Sequence, residues 1–339
     1  MKIILTPEIE SFLDHCRFNL FNSDLNDFIG LHVTKAQEKK IQKELRDAGD
    51  PEFSEDTDTW PSLFLSEEKW EQSPYHSHVM LDMVKDEHFS YVTEKTAGRE
   101  LFNADVIQKD PKRELNDWMK LRAMDQSFNA IYLIQNDQDW MVDAPSEAAT
   151  NDVPAMHAHG NVLTFGLGIG YFLYMALINP EVNSVTVVEK SPQVIEMFSR
   201  FLLPQFPQDK EIIIENGDAF EDFNEKFLSQ YDYVYTDIWF SAEDGLVITE
   251  KLLEQYVPSL QKADFWIEDS CFNTMWSLIF LYFDAVAHQH KVQYNPAYRK
   301  EMYKIRTYFD QKDEIIRDPE RLKYYMYDNL VIRHILSIR

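Results

Sequence analysis

After His159 the chain alternates short, almost unbroken apolar runs with stretches of helical spacing, and this alternation limits the fold more than any other feature. Strands buried on both faces read as continuous apolar runs, so the pattern predicts an α/β domain: a parallel sheet with helices on each side. The runs fall at residues 162–165, 185–189, 212–215, 233–237 and 265–268. Residues 192–203 read as a crossover helix, with Val194, Ile195, Phe198, Phe201 and Leu202 on one face, Pro192 near its start and Pro204 at its stop. Beyond Gln289 the spacing is mostly helical, with no final antiparallel hairpin.

The preceding part has a different character. Residues 6–47 place Ile9, Phe12, Leu13, Phe18, Leu20, Phe21, Phe28, Ile29, Leu31, Ile41 and Leu45 at roughly helical intervals. Residues 47–71, rich in acids and without periodicity, predict a solvated connection. From 88 to 143 the runs become β-rich and end in a hairpin signal, two extended segments joined by Asn136-Asp137. The expected organisation is an N-terminal helical and β-rich domain (1–150), a Rossmann-like domain (151–290) and a C-terminal helical extension (291–339). With 45% hydrophobic residues among 339, the chain has enough apolar material for such packed cores.

Directly after the first apolar run comes Gly166-Leu167-Gly168-Ile169-Gly170-Tyr171. Glycines let the chain turn sharply and let a ligand approach the main chain, and the helix that follows offers unpaired N–H groups. Glu189 closes the second run, where its carboxylate can accept from both ribose hydroxyls. Gly166, Gly168, Gly170 and Glu189 together predict a nucleoside site, and the bulk of Tyr171 disfavours a pyrophosphate dinucleotide. Asp218 and Ala219 follow the third run, beside the position of an adenine. Asp237 ends the fourth, at the sheet edge where ligands of open α/β sheets bind. Trp239 is a candidate aromatic wall for a cationic group, and Trp140 and Glu147 are candidates for covering cofactor and substrate.

These motifs resemble the class I S-adenosylmethionine-dependent methyltransferase fold, including its spermidine synthase branch, over about residues 161–269. Gly166 to Gly170 match the first motif, Glu189 the ribose-binding acid, Asp218 and Ala219 the adenine-binding pair, and residues 233–237 the fourth-strand motif. The resemblance implies S-adenosylmethionine as cofactor on those residues. A β-rich N-terminal region with a hairpin before the glycine loop is also the layout of spermidine synthases. Their usual loop Asp is replaced here by Ile169, and their Asp-Ser-x-Asp-Pro-like run by Asp237-Ile238-Trp239-Phe240.

The expected activity is methyl transfer to a small-molecule acceptor, with Asp237 orienting or deprotonating the nucleophile. The alternatives are aminopropyl transfer and a non-catalytic nucleoside-binding protein of the same fold. A formal charge of -25, with both sides of Thr150 acidic, repels nucleic acid and anionic membranes and suits a cationic acceptor. Cys16 and Cys271 are too few for a disulfide framework, and with no apolar run long enough for a signal peptide or a membrane span the cytoplasm is expected. His76 with His78, and His157 with His159, read as surface or capping histidines, so no metal is expected. A homo-oligomer is compatible with the sequence.

Overall fold

The computed structural model describes residues 1–21, 25–50, 52–53, 57–104 and 120–339. Helices α1 (Pro7–Phe21) and α2 (Glu38–Asp47) open the chain. An antiparallel sheet follows, with strands β1 (Phe89–Thr96), β2 (Phe128–Gln135) and β3 (Gln138–Asp143) in that spatial order. Asn136 and Asp137 join β2 to β3 with φ of 50° and 62°. Positive φ at both central residues belongs to the tight turn whose twist matches a hairpin.

Helix α3 (Pro145–His157) then leads into the alternating part: β4 (Gly160–Phe165), α4 (Tyr171–Ile178), β5 (Val182–Glu189), α5 (Pro192–Met197), β6 (Glu211–Asn216), β7 (Tyr233–Thr236), α6 (Ala242–Leu253) and β8 (Ala263–Phe265). Helix α5 continues through a wider turn at Phe198–Leu202. The five strands are all parallel, in the order β6-β5-β4-β7-β8. This is the parallel, Rossmann-like sheet expected from the sequence. Strand order reverses between β4 and β7, so a crevice opens beyond their carboxyl ends. Interior strand β7 is buried at every residue, whereas edge strand β6 exposes Glu211, Ile213, Glu215 and Asn216.

Helices α7 (Glu268–Ala287), α8 (Arg299–Asp310), α9 (Pro319–Tyr327) and α10 (Asn329–Leu336) complete the chain. The fifth strand is shorter than expected: Ile267 adopts the left-handed conformation (φ 43°, ψ 39°), and Glu268 opens α7 instead of ending the strand. Glu268 is tied to the fully buried Arg333, whose Nε and Nη2 donate to its two oxygens at 2.6 and 2.8 Å. The same guanidinium donates to the carbonyls of Pro258, Ser259 and Ala263, so α10 seals the open side of β8.

Helix α1 packs against α7 and α9, as part of the large core around the parallel sheet. A separate small core joins Leu25, Val33, Ile41, Leu45, Phe53, Leu63, Leu101, Leu121 and Ala123. The connection expected at 47–71 is therefore not wholly solvated. Phe53 and Leu63 plug the small core, and Glu67–Glu71 is a helix capped by the Ser66 side chain, carrying the buried Trp70. Residues 51 and 54–56 of that connection, and 22–24 of the opening helical segment, lie outside the described residues.

Candidate functional site

A cavity of about 480 Å³ lies at the carboxyl ends of β4 to β7, within the size range of small-molecule sites. Its roof is the end of β3 and the start of α3. Its lining includes all ten residues singled out from the sequence: Trp140, Glu147, Gly166, Gly168, Gly170, Glu189, Asp218, Ala219, Asp237 and Trp239.

The loop after β4 is shaped by close approaches. Gly166 has φ 94°, and a Cβ there would run into the Asp237 carbonyl oxygen on the neighbouring chain segment. Gly168, φ 51°, faces the roof, where a Cβ would stand 2.9 Å from the Met141 thioether. Gly170 caps the N-terminus of α4. Between them, the Leu167 N–H donates to Glu189 Oε2 at 3.0 Å and the Ser191 N–H to Oε1 at 2.7 Å, so one carboxylate fastens the loop to the end of β5. Each oxygen keeps a second lone pair for a ligand hydroxyl.

Asp218 also has local partners. Its Oδ1 accepts from the Phe220 N–H at 3.0 Å and its Oδ2 pairs with Lys190 Nζ at 2.8 Å. The hydrogen bond from Lys190 holds its carboxyl below the usual carboxylate range. Ala219 is buried beside it.

Asp237 differs from both. Its main-chain N–H donates to the Phe165 carbonyl at 3.0 Å, extending the β4–β7 pairing. Among the described residues its carboxyl has no hydrogen-bond or ion-pair partner, and burial alone pushes it up to about 7. A carboxyl titrating near neutrality in a cavity has the proton affinity that acid–base work requires.

Aromatic side chains form much of the remaining wall. Trp239 is 5% exposed and its indole Nε1 is buried without a partner among the described residues. Phe240, 65% exposed, stands at the mouth. The Asp244 carboxylate accepts from the Phe240 and Ser241 N–H groups, which fixes the turn between β7 and α6. Trp140 lines the cavity and also packs edge-on against Phe89 at 5.3 Å, so its core and lining roles coexist.

A layer of polar contacts behind the wall escaped the sequence. The Tyr235 hydroxyl donates to Asn151 Oδ1 at 2.9 Å, and its ring stacks on Phe172. Trp266 Nε1 donates to Thr150 Oγ1 at 2.8 Å. The buried Tyr75 hydroxyl donates to the Ile169 carbonyl at 2.9 Å, and His76 Nε2 meets Asp143 at 2.9 Å. His76 and His78 thus diverge, because His78 Nδ1 meets the Pro74 carbonyl on an exposed turn. His157 pairs with Asp264 at 2.8 Å, while His159 Nδ1 meets the carbonyl of His157.

No protein-family model matches the chain, and no curated protein does. Among solved structures, human methyltransferase-like protein 13 in complex with SAH is 18% identical over 27% of this chain and 46% of that one, with a TM-score of 0.21. A spermidine synthase from Thermotoga maritima is 15% identical over 52% of this chain and 62% of that one, with a TM-score of 0.28. A probable spermidine synthase from Corynebacterium glutamicum is 12% identical over 54% and 70%, with a TM-score of 0.31. The chain thus spans under half of the human structure and under two thirds of the Thermotoga one. Likenesses this distant carry no argument about activity.

Proposed function

We propose that the chain is an S-adenosylmethionine-dependent methyltransferase acting on a small-molecule acceptor. The observation that carries this reading is the convergence on one cavity of the glycine loop, the strand-end Glu189 and the Asp237 carboxyl, which has no partner among the described residues. Glu189 would accept from the ribose hydroxyls, Asp218 and Ala219 would flank the adenine, and the aromatic wall at Trp239 would face the sulfonium. The cofactor supplies an activated methyl group. The chain's own task is to align the acceptor, exclude water and hold the acceptor's proton at Asp237.

The acceptor is a cationic amine. Asp143, Glu147, Glu189, Asp218 and Asp237 line the cavity against a single lysine, Lys190, which is already paired with Asp218. The same acidity favours aminopropyl transfer as a second reading. Against it, the position where spermidine synthases carry a loop Asp is held by Ile169, 4% exposed and packed into the core. Cys16 and Cys271, both buried and in no disulfide among the described residues, fit a cytoplasmic location, and no helix among the described residues is long and apolar enough to cross a membrane.

Calorimetric titration with S-adenosylmethionine, its decarboxylated form and S-adenosylhomocysteine tests the proposal. Preference for the first and third, followed by methyl transfer to an amine, is the expected result. Preference for the decarboxylated form would transfer the assignment to aminopropyl chemistry, and binding of none would end the nucleoside reading.

A further inference from the structure

Asp284, near the carboxyl end of α7, and His288 and His290, just past it, form a cluster, and His288 also meets Glu10 on α1. One donor atom from each of Asp284, His288 and His290 lies within 4.8 Å of the others. Gln289 between the histidines has φ 58°, and the two rings stack with centroids 6.1 Å apart and planes 14° from parallel.

The orientation of the rings is the informative part. His288 Nδ1 lies 3.0 Å from the Asp284 carbonyl, and His290 Nδ1 lies 3.2 Å from the Lys291 carbonyl. A carbonyl only accepts, so each Nδ1 carries a proton and Nε2 is the nitrogen left for another partner. Those nitrogens face carboxylates: His288 Nε2 is 3.3 Å from both Glu10 oxygens, and His290 Nε2 is 3.2 Å from Asp284 Oδ2. Acceptor facing acceptor repels unless a cation lies between them, and that cation is a proton or a metal. Imidazoles fixed through Nδ1 on a carbonyl, with Nε2 free, are the usual posture of metal-ligating histidines. Donor atoms around a tetrahedral ion at about 2.0–2.1 Å stand about 3.3 Å apart, close to these separations. Arg17 donates to Asp284 Oδ1 at 2.7 Å, and His288 Nδ1 lies 3.2 Å from the same oxygen, so Oδ2 is the one that faces His290.

The geometry points to a divalent transition-metal site of the zinc class with Asp284, His288 and His290 as ligands; Glu10, 3.3 Å from His288 Nε2, would complete it from α1 and clamp that helix to the end of α7. Two imidazoles and two carboxylates suit zinc or cobalt better than calcium or magnesium, which take oxygen ligands.

The test is calorimetric titration of chelator-stripped full-length protein with Zn²⁺ at pH 7.5, with Co²⁺ followed by its visible absorption and Mg²⁺ as the control. One Zn²⁺ per chain, a raised melting temperature and tetrahedral Co²⁺ bands are expected. His290→Ala removes a half-exposed ring and leaves the helices intact, and it should weaken Zn²⁺ by about 10–100-fold or more, as should Glu10→Gln to a smaller extent. Absence of Zn²⁺ binding, or binding that His288→Ala and His290→Ala both leave unchanged, would overturn the site and assign protons to the two gaps.

Discussion

Replacing Asp237 by Asn should make the protein more stable and less active. The carboxyl titrates near 7 in the folded chain against 3.8 for an ordinary Asp, about three pH units, because it sits in the cavity wall without a partner among the described residues. The folded state therefore holds this proton more tightly than the unfolded chain does. Stability from this group is complete below about pH 4, is lost as the pH rises through 7, and stays lost above it. At about 1.4 kcal/mol per unit the penalty at pH 8 approaches 4 kcal/mol, and water entering the cavity lowers it, so about 2–4 kcal/mol is the working range. Asn is neutral at every pH and escapes the penalty. At about 2 °C per kcal/mol for a chain of this size, Asp237→Asn should melt roughly 4–8 °C above the parent at pH 8 and within about 2 °C of it at pH 4. Thermal denaturation followed by circular dichroism at the two pH values is sufficient. With an amine acceptor, the variant should retain cofactor affinity and lose turnover on the order of 100-fold. A variant less stable than the parent at pH 8 would refute the reasoning, since it would mean that the charged carboxylate braces the loop.

Glu189→Ala should weaken S-adenosylmethionine by about 1.5–3 kcal/mol, measured by calorimetry, and should also lower the melting temperature because the Leu167 and Ser191 N–H groups lose their acceptor. Gly168→Val should abolish cofactor binding in a chain that still folds, since its side chain would meet the Met141 thioether where the ligand passes; normal affinity would reduce the loop to a turn. Arg333→Ala should cost about 3–5 kcal/mol in denaturant titration by stranding the buried Glu268, and Arg333→Met combined with Glu268→Leu should recover much of that loss.

The parallel sheet was legible because strands buried on both faces leave contiguous traces such as Val162 to Phe165, and the hairpin because Asn136 and Asp137 tolerate positive φ. The glycine loop and its acid were legible because their spacing along the chain is itself the geometry of the crevice. The end of β8 was not: the apolar run continues through Trp266 and Ile267, and a left-handed isoleucine gives no sign in the sequence that the chain has already turned. The contacts behind the cavity wall were hidden by separation, with Tyr75 and Ile169 94 residues apart and His76 and Asp143 67 apart. The small core draws only the pairs Ile41 and Leu45 and Leu121 and Ala123 from regular elements and the rest, Phe53 and Leu63 among them, singly from separate segments, so no window shows it as one unit.

The seal that Arg333 places on β8 imposes an order on biosynthesis. Ala263, whose carbonyl it occupies, is made 70 residues earlier, which at about 5–20 residues per second is an interval of roughly 4–14 s on the ribosome. During that interval the nascent sheet has an open edge of the kind that recruits strands from other chains. The pairing of Lys2 and Ile3 with Ile315 and Ile316 has the same character, since these residues wait for partners more than 300 positions downstream. Translation rate, and the chaperones that shield an unfinished sheet, therefore bear on the yield of this protein as directly as its equilibrium stability does.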